Sequence, residues 1–140
     1  MVVRMAASAT ERSAFPTNGN VPIRSSSSTR AFKASSRLGW FGIGVYADAD
    51  LTASVGNITG YPGDQPEGTQ WYDTHQIASV TPSKIYYDID TMGGQSGSAV
   101  YRIVDGKHVG IAVHAYGGAT HNSGTRISTP VHANLTEWAK

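Results

Sequence analysis

Two serines sit among three glycines in Thr91-Met92-Gly93-Gly94-Gln95-Ser96-Gly97-Ser98-Ala99-Val100. Glycines let neighbouring backbone amides turn towards one point, where they bind an anion. A serine in such a loop can attack a carbonyl while those amides stabilise the oxyanion. Two other glycine-rich devices fit less well. The α/β-hydrolase elbow needs G-x-S-x-G leading into a helix. Here the fifth residue is Ser98, and no helical pattern follows. A phosphate loop needs a Lys-Ser/Thr pair, which is missing from this stretch.

A nucleophilic serine needs a base and a group that orients the base. The first histidine in the chain is His75, and the others are His108, His114, His121 and His132. His75, His108, His121 and His132 lack regular metal-ligand spacing, so these four are expected at surfaces or in packing, and no metal or other cofactor is expected. Asp88 and Asp90, two apart on one strand face, suggest loop solvation before a cation site. The chain contains no cysteine, which excludes disulfides, thiolate zinc sites and a thiol nucleophile. Asn57-Ile58-Thr59 and Asn134-Leu135-Thr136 are glycosylation sequons by pattern.

The elements that must position Ser96 read as β. Short apolar segments alternate with turn signals from residue 38 to 128, which predicts an all-β barrel or sandwich. Strands are expected over 38–45, 51–58, 71–80, 84–89, 99–104, 108–114 and 124–128. Asp105-Gly106 marks a hairpin between two of them. At the end, Thr129 as N-cap and Pro130 at the first helical position predict a short helix. Its stripe of Val131, Leu135 and Trp138 is expected to pack on the barrel.

The first 36 residues differ. Residues 1–40 carry six Lys or Arg against one acid, Glu11, whereas residues 41–140 carry five against nine. Ser25-Ser26-Ser27-Ser28-Thr29 is low in complexity, and large apolar residues are few. Disorder is the plain expectation for 1–36. A transit peptide lacks its amphipathic stripe, and a secretory signal lacks its apolar core. The basic residues are scattered without aromatics, so no nucleic-acid partner is expected. No apolar run is long enough to span a membrane as a helix, and no membrane partner is expected. The expected organisation is a low-complexity segment at 1–36 and one barrel at 37–140.

Several stretches resemble the glutamyl endopeptidase-like serine proteases of chymotrypsin fold. They are Asn57-Ile58-Thr59-Gly60-Tyr61-Pro62-Gly63, Gly68-Thr69-Gln70-Trp71, the run from Tyr87 to Ser98, Gly110-Ile111-Ala112-Val113-His114 and Asn122-Ser123-Gly124-Thr125-Arg126-Ile127. They are collinear and cover residues 38–140. The resemblance implies the second six-stranded Greek-key barrel of that fold, with a short C-terminal helix. It implies Ser96 as acylating nucleophile and the N–H groups of Gly94 and Ser96 as oxyanion hole. Thr91 and His114 match positions that line the primary specificity pocket, and a hydroxyl plus an imidazole can hold a substrate carboxylate. Cleavage after Glu would follow. Gln95 stands where trypsin-like zymogens carry an Asp, so activation through an ion pair with a freed N-terminus is not expected.

The same family takes its His and Asp from a first barrel upstream. Neither residue type stands at those places in this chain. The expectation is therefore a serine endopeptidase in truncated form, inactive alone, whose partners are a peptide or protein substrate and a missing N-terminal barrel. Secretion is implied by the family, although no signal peptide is visible. The alternative is a non-catalytic barrel that binds acidic peptides or a partner protein.

Overall fold

The computed structural model describes residues 40–139. The disorder expected for residues 1–36 and the composition boundary at 36–40 lie outside the described residues, apart from Trp40.

Among the described residues, seven strands and two helices follow in order: β1 (Gly42–Ile43), α1 (Asp48–Thr52), β2 (Val55–Gly60), β3 (Trp71–Val80), β4 (Lys84–Tyr87), β5 (Ala99–Val104), β6 (Lys107–Tyr116), β7 (Asn122–Arg126) and α2 (Thr129–Trp138). β2 through β7 close a six-stranded antiparallel barrel in the order β2-β3-β4-β7-β6-β5 and back to β2. β1 lies outside it, parallel to β6. The connection that makes this a Greek key is the passage from β4 to β5. It carries the chain from one side of β3 to the far side of β2, and it contains Ser96.

Local chemistry accounts for these elements. Asp105 (φ 50°) and Gly106 (φ 72°) both take positive φ, as a two-residue turn between right-twisted strands requires. The inward sides of the strands supply Ile58, Ile77, Ile85, Tyr87, Val100, Ile111 and Ala112. Ile89 and Leu51 join them from outside the strands. Each fully buried aliphatic side chain here contributes roughly 1.5–3 kcal/mol of transfer free energy.

Leu51, expected to open a strand, instead ends up in α1 and is buried at 2% exposure. Two factors favour helix there. Asp48 and Asp50 sit in its first turn, where the helix dipole prefers negative charge. Arg126 then fixes the helix: its Nη1 lies 2.7 Å from Asp48 Oδ1, and its Nη2 donates to Tyr46 O at 2.8 Å. β2 consequently begins at Val55. At the other end, Ser128 and not Thr129 is the N-cap of α2. Leu135 is buried and Val131 partly so, but Trp138 is 68% exposed. The apolar stripe therefore packs only along its first part.

Candidate active site

Ser96 sits in the loop between β4 and β5, exposed to solvent. The loop is tied at both ends. On its downstream side Gly97 N donates to His114 O at 2.8 Å, and His114 N donates to Ser98 O at 2.9 Å. These bonds continue the β5–β6 ladder, so the start of β5 and residue 114 share one frame. On its upstream side Gly63 N donates to Gly93 O at 2.7 Å. That bond docks the turn after β2 against the residues before Ser96.

Glycine is required where these segments meet. Gly94 has φ +102°, and a Cβ there would lie 2.9 Å from Tyr61 O. At Gly60, a Cβ would lie 2.7 Å from Ser98 Oγ and 3.1 Å from Gln95 Cγ. The Gly60-Tyr61-Pro62-Gly63 stretch, one of the motifs that carry the family resemblance, forms one wall of the serine loop.

Gln95 holds the loop from inside. It is 5% exposed, and its Oε1 accepts Met92 N–H at 2.7 Å. Its own N–H donates to Met92 O at 3.2 Å, and its carbonyl accepts from Ser98 N at 3.0 Å. The N–H groups of Gly94 and Ser96 make no hydrogen bond to another described residue. Two adjacent open donors beside an exposed hydroxyl can bind the oxygen of a tetrahedral adduct. Among the described residues, none shares a hydrogen bond with Ser96 Oγ.

His114 lies on β6, and two irregularities in strand register flank it, one between Val100 and Tyr101 and one between His114 and Tyr116. Such bulges re-aim side chains. The residue is 4% exposed, and its Nδ1 lies 2.7 Å from Tyr87 Oη. Burial lowers its pKa below the ordinary imidazole value, which favours the neutral ring at pH 7. Burial also raises the pKa of the Tyr87 phenol, so Tyr87 stays protonated. Sequence reasoning placed Tyr87 in a motif and gave it no role. Nothing local could have done so, since its partner stands 27 positions away.

Thr91 is half-buried in the same loop. It shares no hydrogen bond with His114.

The other histidines and acids behave as surface groups. His121 Nδ1 pairs with Asp88, both partly exposed, and Asp90 N donates to Asp73 Oδ2 at 2.7 Å. No three His, Asp or Glu side chains converge as a metal site among the described residues. The sequon at Asn57 is corrected by burial. Its Nδ2 donates to Tyr101 O at 3.0 Å and its Oδ1 accepts from Tyr72 at 2.7 Å, so its amide is committed inside the fold. Asn134 is exposed on α2.

No protein-family model matches the chain. Individual relatives do. A protein named extracellular metalloprotease from Bacillus subtilis is 41% identical over 106 residues, which are 73% of this chain and 33% of that protein. A glutamyl endopeptidase from Bacillus licheniformis is 40% identical over 109 residues, 72% of this chain and 34% of that one. A glutamyl endopeptidase from Staphylococcus epidermidis is 36% identical over 70 residues, half of this chain and 23% of that protein. Among solved structures, a Glu endopeptidase in complex with MPD superposes with a TM-score of 0.65 at 27% identity. That match covers 76% of this chain and 49% of that one. The chain spans about a third of the length of the two Bacillus relatives.

Proposed function

The described barrel is that of a chymotrypsin-fold, glutamyl endopeptidase-like protein, and from it we propose that this chain carries the nucleophile side of a serine endopeptidase. Ser96 Oγ attacks the scissile carbonyl, and the N–H groups of Gly94 and Ser96 receive the oxyanion. His114 on β6, together with Thr91 of the serine loop, receives the carboxylate of a Glu side chain before the cleaved bond. One observation carries the reading. An exposed serine sits on a glycine loop whose two neighbouring amides are uncommitted, within the run from Tyr87 to Ser98 that resembles glutamyl endopeptidases. The family likeness extends the proposal to secretion, and one relative's name contains the word extracellular.

The proposal includes an incomplete triad in the 140-residue chain. Residues 1–74 hold no histidine, and no described side chain hydrogen-bonds Ser96 Oγ. Losing the base leaves only oxyanion and binding effects, far below a working triad. The absence of a base also favours one second reading, a barrel that binds acidic peptides without cleaving them.

A fluorophosphonate probe tests this, read by mass spectrometry of the tryptic peptide covering residues 85–102. The folded chain alone should not react. With the part of the Bacillus licheniformis relative that this chain does not match supplied alongside, Ser96 should react. Reaction of the chain alone, abolished by heat, would show a base within it and sink the incompleteness reading. No reaction in either case, with a Glu peptide still bound, would favour the binding module.

A further inference from the structure

The geometry points to Tyr87 as the positioning residue for acidic recognition: its phenol O–H donates to His114 Nδ1 and so fixes the imidazole as the tautomer that presents Nε2–H. This rests on the reading of His114 as carboxylate receptor. Tyr87 is completely buried in the barrel core, and its Oη lies 2.7 Å from His114 Nδ1. The two rings stand 6.0 Å apart and tilted at 49°, a geometry of edge contact through the polar atoms and not of stacking.

Proton counting sets the direction of the bond. The phenol has one hydrogen, and its oxygen has no other hydrogen-bond partner among the described residues. If Nδ1–H donated to the phenol, the phenolic hydrogen would be buried in an apolar core without an acceptor, a cost that folded proteins avoid. If the phenol donates to Nδ1, both atoms are satisfied and the ring hydrogen moves to Nε2. Burial keeps both groups neutral, so no proton transfer blurs the assignment.

The far end of the ring is uncommitted among the described residues. His114 Nε2 makes no hydrogen bond to a described residue, yet it is not one of the fully enclosed unpaired polar atoms, which are Arg102 Nε and Arg126 Nε. A buried imidazole is thus capped at Nδ1, while its Nε2 has no partner among the described residues. A neutral donor of this kind binds a carboxylate by an N–H···O⁻ bond and gives no such bond as its other tautomer.

Nitrogen-15 NMR of the histidine side chains in the full chain tests the inference. His114 should show a protonated Nε2 and an unprotonated Nδ1. In Tyr87→Phe the resonances should move to a mixture of tautomers, while His75, His108, His121 and His132 stay unchanged. If Tyr87→Phe does not fold, 3-fluorotyrosine labelling, which strengthens the phenol as a donor, must displace the His114 Nδ1 resonance. A wild-type Nδ1–H tautomer, or a His114 signal indifferent to both perturbations, overturns the inference. Titration with a peptide ending in Glu and its Gln counterpart separates the two readings. Loss of the Glu preference in Tyr87→Phe supports the inference. If wild type keeps the Nε2–H tautomer but does not prefer Glu, the tautomer assignment stands and the carboxylate-receptor reading falls.

Discussion

Gln95 and Met92 bond to each other twice, through Gln95 Oε1 and Met92 N–H at 2.7 Å and through Gln95 N–H and Met92 O at 3.2 Å. The pair closes a small ring immediately before Ser96. A side-chain amide buried at that point ties the loop through neutral hydrogen bonds.

Gln95→Ala should therefore loosen the serine loop and little else. It leaves Met92 N–H without its acceptor and opens space beside Gly60. The expected loss is about 1–3 kcal/mol, the cost of stranding one donor of this kind. Denaturant unfolding measures the total. Hydrogen exchange should place the extra opening at residues 92–98, and uniform acceleration across the barrel would count against the ring.

Two glycines in this loop have positive φ, and they should respond differently to alanine. At Gly97 (φ +90°) a methyl would meet no atom within 4 Å, so Gly97→Ala should cost only the backbone strain, about 1–3 kcal/mol. Gly94→Ala adds a contact of 2.9 Å to Tyr61 O, a backbone atom that cannot swing aside. Gly94→Ala should melt at lower temperature than Gly97→Ala. Equal melting temperatures would mean that the turn at 61–63 yields freely.

What the sequence disclosed follows from range. The hairpin at Asp105-Gly106 and the bounds of Trp71–Val80 depend on neighbours in the chain, and both appear as expected. Leu51 was misplaced because its apolar character suits a strand and a helix equally, and a distant Arg126 helps decide between them. Trp138 was misplaced because helical spacing shows which residues share a face but not how far the barrel extends beneath it. The serine loop was legible as a motif. The Tyr87 cap on His114 and the Gly63–Gly93 bond were not, since closure of the barrel creates both.

Asn57→Asp should destabilise the fold although the two side chains are nearly isosteric. The carboxylate keeps the acceptor for Tyr72 but cannot donate to Tyr101 O, which it then faces at close range. With the site only 5% exposed, a loss of at least about 1–3 kcal/mol is expected at neutral pH. Thermal unfolding at pH 7 checks it. For the same reason the Asn57 sequon should carry no glycan in the folded protein, and mass spectrometry of material from a eukaryotic host reads that directly.

His114 predicts how stability depends on acid. Its folded pKa lies below the ordinary value of 6.5, because burial penalises the charged ring. Between the folded and unfolded values the unfolded chain binds more protons. The unfolding free energy therefore rises with pH across that window and is level above 6.5 as far as His114 is concerned. Acidification from 6.5 downwards should accordingly weaken the fold, by at most about 1.4 kcal/mol per pH unit from this one group. Tyr87 acts at the opposite end. Its raised pKa means that the unfolded chain loses its proton first, so stability should fall as pH climbs above 10.0. His114→Gln, measured by denaturant unfolding between pH 5 and 8, should flatten the acid limb relative to wild type. An unchanged acid limb would assign it to other groups and would mean that the folded state accommodates a charged ring at residue 114.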